Sequence, residues 1–229
     1  MASRMLRRSG VAVGMIAERL GWKPDTIIQV GAGMRFGEMD VLVEEWDIPF
    51  HSIVGFEANP YVFDSIYSEY PGILIKLALS DCEKDACLKF KRRHKSGSSL
   101  KEMAEWDTEV VVRTSTLDRI FDNKPLSDDV LLWLDCEGSE FDVLEGGSEV
   151  LSHVKMVNVE MTANPKGDDW CSPESVHEWL AAYGFYQSWI HTTRSSAGQF
   201  DAIYSCRELF QPKYCCNVHE IKRWKEENE

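Results

Sequence analysis

Short apolar runs of strand length alternate along this chain with longer segments whose apolar residues recur every three to four positions. The run "TIIQV" feeds directly into the glycine-rich turn "GAGMRFG", as a chain does when its backbone must come close to a ligand. Behind it, Phe36, Met39, Leu42, Val43 and Trp46 keep helical spacing until "DIP" stops the helix. "SIVGFEANP" predicts a second strand, ending in Glu57. Asn59 can cap the next helix and Pro60 can open it; Val62, Phe63, Ile66, Tyr67 and Tyr70 form its stripe, and Pro71 and Gly72 end it. The unit so far is βαβα.

"ILIKLALSD" predicts a third strand, and "ACLKFKR" and "TEVVVRT" read as two more that can pair with each other. "DVLLWLDCEG" has no polar face, which suits the middle of a parallel sheet covered on both sides. Ser139 is placed to cap the following helix, Asp142 completes the pattern of a capping box, and Gly146 and Gly147 end it. After the strand "VKMVNVEM", "SPESVHEWLAAYG" repeats the Ser-cap and Pro-first pattern and stops at Gly184. The strands "FYQSWI" and "FDAIYSC" leave no room for a helical crossover, so they must pair antiparallel. The fold class is therefore α/β: a three-layer α/β/α sandwich with a Rossmann-like, mostly parallel seven-stranded sheet and an antiparallel C-terminal hairpin.

With 229 residues and no Pro, Gly or Ser-rich linker, a single domain over 1–229 is expected, its core at about 26–206, with an N-terminal helix at 10–20 and a tail at 207–229 as appendages. The apolar stretch Val11 to Ala17 is too short to span a bilayer. The basic start "MASRMLRRSG" lacks a sustained apolar region or cleavage site behind it. Seven cysteines, an odd number that includes the adjacent Cys215 and Cys216, suit reduced thiols and a cytoplasmic protein. Cys82, Cys87 and His94 do not have zinc-ligand spacing. A net charge of −13 argues against nucleic acid as a partner. The basic run "KFKRRHKSGSS" reads as a solvated loop or a lysine-protected edge strand.

In such sheets ligands sit outside the carboxyl ends of the strands, so "GAGMRFG", "EANP", "LSD", "DCEG" and "EM" are where chemistry belongs. A dinucleotide loop needs glycine where this chain has Phe36, and a GxGxG loop needs it where the chain has Arg35. Glu57 stands at the distance where a carboxylate accepts hydrogen bonds from an adenosine ribose. The second half decides between cofactors: it ends in a hairpin rather than a second mononucleotide-binding unit, and it carries Asp135, Glu137 and Glu160 after its parallel strands. Acids there are compatible with a sulfonium cofactor.

The ordered segments "IIQVGAG", "GFEANP", "KLALSD", "STLDRI", "LLWLDCEGSEFDVLEGG" and "VNVEM" resemble the FkbM-type methyltransferases, a branch of the class I S-adenosylmethionine-dependent enzymes. The resemblance covers roughly Thr26 to Cys206. The family usually has an acid at Gln29, Asn at Gly33 and glycine at Arg35, so the departures fall in the cofactor loop itself. The resemblance implies S-adenosyl-L-methionine as cofactor, with Gly31, Ala32 and Gly33 at its methionine end and Gln29 near its ammonium. It further implies Glu57 and Ala58 at the ribose, Ala78, Leu79 and Ser80 beside the adenine, and Ser99 and Cys136 in the same site.

Asp135 would sit where cofactor and acceptor meet and is the residue expected nearest to catalysis. Glu137 and Glu160 are the further candidates for base, substrate binding or a divalent cation. Oxygen ligands suit Mg²⁺ or Ca²⁺, but these three acids by their spacing establish no metal site. A bland reading of Glu137 also stands: a carboxylate before a helix N-terminus complements the dipole. Ser98 and Ser99 are placed in a loop that can close over the cofactor, and His94 and His191 in loops, as surface residues or bases. The expected function is O-methylation of a small molecule or a glycan hydroxyl. An NAD-dependent oxidoreductase and a catalytically silent binding module are the alternatives.

Overall fold

The computed structural model describes residues 8–33, 40–102, 106–163, 169–192 and 198–211. Helix α1 (Arg8–Leu20) precedes strand β1 (Thr26–Val30), α2 (Asp40–Trp46), β2 (Ile53–Glu57), α3 (Pro60–Ile66) and β3 (Ile73–Lys76). Phe36 and Met39 lie outside the described residues, but α2 ends as expected at "DIP", where Asp47 takes φ 48°. Asn59 caps α3 by accepting from the Tyr61 N–H, with Pro60 in the first turn. Val62, Ile66 and Tyr70 of the predicted stripe are buried, whereas Tyr67 is 61% exposed. The apolar face of α3 is thus narrower than its sequence.

The third predicted strand is two strands. After β3 the chain turns at Leu77, whose N–H donates to the Glu57 carbonyl, and β4 (Ala78–Leu79) leaves the main sheet. It pairs in parallel with β7 (Thr108–Ser115) in a second, four-stranded sheet of order β4-β7-β5-β6, with β5 (Asp85–Lys91) and β6 (His94–Ser99). The expected pairing of "ACLKFKR" with "TEVVVRT" is present as β5 antiparallel to β7. The basic run forms the β5–β6 turn and an edge strand, and His94 opens β6 rather than lying in a loop.

Helix α4 (Leu117–Phe121) follows, capped by Thr116, which accepts from the Arg119 N–H. Asp118 reaches across the chain and accepts from the N–H groups of Glu149 and Val150 at 2.9 to 3.1 Å, which tethers the turn before β9. Then come β8 (Val130–Leu134), α5 (Glu140–Glu145), β9 (Val154–Thr162), α6 (Pro173–Ala182), β10 (Phe185–Thr192) and β11 (Gln199–Cys206). Every residue of β8 is buried, as its unbroken apolar run requires at the centre of the sheet. His191 lies in β10, not in a loop.

The main sheet has seven strands in the order β10-β11-β9-β8-β1-β2-β3. β11 is antiparallel to both β9 and β10, so the reversed strand stands one place in from the edge. Two cores cover the sheet. One joins α1, α2 and α3 to Ile27, Leu131, Met156 and Ile203; the other joins α4, α5 and α6 to Ile28, Leu132, Val157 and Tyr204. Among the described residues, no helix is long and apolar enough to cross a membrane. Cys82, Cys87, Cys136, Cys171 and Cys206 are free thiols.

Candidate functional site

The turn after β1 is fixed by contact rather than by flexibility. Gly31 has φ 80°, and a Cβ there would lie 1.8 Å from the Asp135 carbonyl oxygen. The N–H groups of Gly31 and Ala32 donate to the Phe56 carbonyl at 3.0 and 3.1 Å, which draws the turn onto the end of β2. Gly33 then donates to Glu57 Oε2 at 2.9 Å, while Asn59 N–H donates to Oε1 at 2.8 Å. Burial lifts the Glu57 carboxyl above its ordinary range, and the backbone N–H groups of Asn59, Gly33 and Ala58 pull it back. The result is a buried acid with both oxygens oriented by backbone, at the carboxyl end of β2.

Across from it, the "DCEG" turn leaves β8. Glu137 has φ 50° and Gly138 φ 98°, and a Cβ on Gly138 would meet the Trp170 ring at 2.6 Å. A non-glycine residue in the left-handed region costs about 1 kcal/mol or more and needs surroundings that hold it there. Here Ser99 Oγ donates to the Glu137 carbonyl at 2.6 Å and Gln199 Nε2 donates to its Oε2 at 3.4 Å. The capping box is replaced by a different device. Ser139 makes no capping bond, and Asp142 pairs with Lys101 at 2.8 Å. Glu140 instead turns back and accepts from the N–H groups of Cys136 and Gly138, each at 3.0 Å.

Burial raises the Glu140 carboxyl to about 7. The folded chain therefore holds this proton more tightly than the unfolded chain, so its contribution is full below the ordinary value of 4.5 and is lost as pH rises through about 7. Stability is expected to fall across that window, and Glu140→Gln, which keeps an accepting oxygen, should flatten the slope. Urea midpoints measured at several pH values for both proteins check this.

Between the two walls lies a cleft. Glu57 and Ala58 line one side, Gly31 and Gly33 its floor, and Asp135, Cys136 and Glu137 the other side. Ala78 and Leu79 also reach it, as does Ser139. Other predicted residues stand elsewhere. Gln29 is buried away from the cleft lining and accepts from Tyr70 Oη at 2.9 Å, with the Tyr70 ring filling the space where Gly55 has no side chain. Ala32 packs in the core on the α1 side. Ser80 donates to Asp81, and its carbonyl lies where a Cβ on Gly146 would fall, 2.2 Å away. Gly146 is thus required by close approach, not only as a helix stop. Tyr70→Phe is expected to leave the buried Gln29 oxygen without this donor and to cost about 1–2 kcal/mol in chemical denaturation.

Sequence reading did not single out Leu77, Leu88 and Leu100, which close the cleft from the side of the second sheet. Leu88 was legible as a buried position in the alternation of β5; Leu77 is visible only once β3 and β4 are known to part. Ser98 also lines the cleft and accepts from Asn59 Nδ2 at 2.8 Å. With Ser99 on Glu137, the 97–101 segment bridges the two acidic walls. The cleft offers about 70 Å³ and opens to solvent.

Glu160 lies in β9, directly opposite Asp201 in β11. Burial first, then the carboxylates of Asp135, Asp201, Glu137 and Glu140, raise the Glu160 carboxyl far above the ordinary range. Glu160→Gln is expected to stabilise the ligand-free protein at neutral pH by at least about 1 kcal/mol, one pKa unit's worth, read as a higher melting temperature. Among the described residues, no group of three His, Cys, Asp or Glu could hold a metal ion.

A sheet of this order, with a reversed strand beside its edge, a glycine turn after β1 and an acid at the end of β2, is the Rossmann-like fold of methyltransferases. Within that class the chain belongs to the FkbM methyltransferase domain family, whose sequence model matches residues 33–186. The crystal structure of the FkbM methyltransferase from Methylobacillus flagellatus KT is similar over 80% of this chain, with a TM-score of 0.50 and 11% identity. The chain covers 43% of that relative's length. The magnesium protoporphyrin IX methyltransferase from Synechocystis PCC 6803, solved with bound S-adenosylmethionine, has a TM-score of 0.47 and 9% identity, over 90% of this chain and 80% of that one. A search of curated proteins found no match.

Proposed function

We propose that the chain is an S-adenosylmethionine-dependent methyltransferase acting on a hydroxyl oxygen of a small molecule or sugar. The observation that carries this is the meeting of Glu57, the Gly31–Gly33 turn and Asp135 around one cleft. The Glu57 oxygens accept the Gly33 and Asn59 N–H groups and retain lone-pair capacity for a ribose hydroxyl. Gly31 lets the backbone approach without a Cβ, and Ala78 and Leu79 offer an apolar surface to a base. When bound, the cofactor supplies a methyl group already activated by its sulfonium.

The protein's part is positioning and proton removal. Reacting atoms need to be held about 3–3.5 Å apart and in line. The acceptor oxygen gains the methyl and gives up its proton, which Asp135 or Glu137 is placed to take. Glu160, held neutral, serves as a hydrogen-bond donor rather than a base. The dinucleotide reading is disfavoured because β11 occupies, antiparallel, the place of a further parallel strand. The test is transfer of labelled methyl to a panel of alcohols, sugars and amides. Label in ether linkages supports the reading, and label confined to carbon or nitrogen overturns the choice of oxygen.

A further inference from the structure

One end of the cleft is apolar. Leu77 and Leu79 reach it from the parting of β3 and β4, Leu88 from β5, and Leu100 from the segment that follows β6. Leu100 stands between two anchors on the opposite wall: Ser99 Oγ donates to the Glu137 carbonyl at 2.6 Å, and Lys101 Nζ pairs with Asp142 at 2.8 Å. Ser139 lies in the chain between those two anchor points and also lines the cleft. Helix α5 starts directly after it and has six residues, a length of about 9 Å. Its far end, Gly146, closely approaches the carbonyl of Ser80, the residue that follows β4. The helix thus runs beside β4, so Ser139 and the leucines close the same end of the cleft.

Ser139 is 2% exposed, and among the described residues its Oγ has no hydrogen-bond partner. The backbone donors around it are already engaged. Glu140 accepts from the N–H groups of Cys136 and Gly138 at 3.0 Å each, and the Ser139 N–H donates to the Cys136 carbonyl at 3.4 Å. A buried hydroxyl left unpaired is a net cost to the empty fold, and a ligand with a polar edge recovers it. The hydroxyl can both accept and donate; the four leucines can do neither. An aromatic base seated on this apolar surface therefore finds in Ser139 a side chain able to answer a polar group on its edge.

We propose that the Ser139 hydroxyl recognises the edge of the cofactor's adenine, with Oγ accepting from the 6-amino group. This rests on the methyltransferase reading of the same cleft, in which Glu57 holds the ribose. Glu57 and Ser139 then read the nucleoside from opposite walls. The acid accepts from sugar hydroxyls, which every ribonucleoside carries. The serine accepts from an amino group that only some bases carry, so Glu57 contributes affinity for the class and Ser139 selects within it.

The test sets S-adenosylhomocysteine against the analogue in which hydrogen replaces the 6-amino group, titrated by calorimetry into the unaltered protein and into Ser139→Ala. One neutral hydrogen bond corresponds to a preference of about three- to tenfold for S-adenosylhomocysteine, which is expected of the unaltered protein. Ser139→Ala is expected to bring the two ligands within about twofold, by weakening S-adenosylhomocysteine and not the analogue. Because Oγ makes no capping bond, the ligand-free variant is expected to melt no lower than the unaltered protein. Equal binding of the two ligands by the unaltered protein overturns the assignment whether or not the variant folds. A preference that persists in Ser139→Ala, or a variant that weakens both ligands alike, overturns it too. Binding of neither ligand by the unaltered protein would instead strike the methyltransferase reading, and this inference with it.

Discussion

Gly31→Ala is expected to destabilise the protein by roughly 3 kcal/mol or more, combining a forbidden φ with an overpacked contact. The methyl would sit 1.8 Å from the Asp135 carbonyl oxygen, and neither side can yield cheaply. Asp135 N–H donates to the Val30 carbonyl and Gly31 N–H to the Phe56 carbonyl, so moving the turn breaks pairing on both flanks of β1. Gly33→Ala is the control. Its φ is 65°, but no described residue lies within 4 Å of the added Cβ, so the conformational cost of about 1–2 kcal/mol is the one expected. For a chain of this size each kcal/mol is worth about 2–4 °C in melting temperature. Gly31→Ala should therefore melt at least about 6 °C lower, with Gly33→Ala clearly above it. Equal melting temperatures would show that the turn is not pinned by Asp135.

Glu57→Gln is expected to separate binding from folding. The amide keeps one oxygen for a backbone N–H but loses the charge and replaces the other acceptor with a donor. A hydrogen bond to a charged group contributes about 1.5–3 kcal/mol, so affinity for S-adenosylhomocysteine should fall about 10–100-fold. Burial already raises the carboxyl's pKa, which means that ionisation of Glu57 costs the empty fold. The gain from removing that charge opposes the loss of one accepted backbone N–H, so thermal stability is expected to change little beside the loss of affinity. A variant that melts lower and binds equally well would make Glu57 a scaffold for the turn, not a contact for the ribose.

Local signals carried much of this fold. Asn59 with Pro60, Ser172 with Pro173 and the all-apolar β8 are each decided by residues a few positions apart, and each formed as expected. The antiparallel pairing of β10 and β11 followed from the shortness of their connection. What sequence could not show depends on register and on competing partners. Ser139 and Asp142 have the spacing of a capping box, yet Lys101 takes Asp142 and Glu140 wins the turn's N–H groups. The parting of β3 from β4 has no local mark, because Leu77 is as apolar as its neighbours.

The same division holds in the cleft. Gly31, Glu57 and Asp135 were legible because each stands at the carboxyl end of a parallel strand, Glu57 also at the distance of a ribose contact, and they do share one cleft. The family resemblance implies Gln29 near the cofactor's ammonium, but its buried side chain accepts instead from Tyr70, 41 residues away. Outside the cleft, Asp201 carried no signal at all. Its place opposite Glu160 exists only in the antiparallel register of β9 and β11.

The most direct measurement is isothermal titration of the unaltered chain with S-adenosylhomocysteine, run in parallel with NADH. One-to-one binding of the first and no heat from the second is the expected result. Heat from NADH alone, or none from either ligand at millimolar concentration, would contradict a cleft built by Glu57, Gly31 and Asp135 to hold a methyl donor.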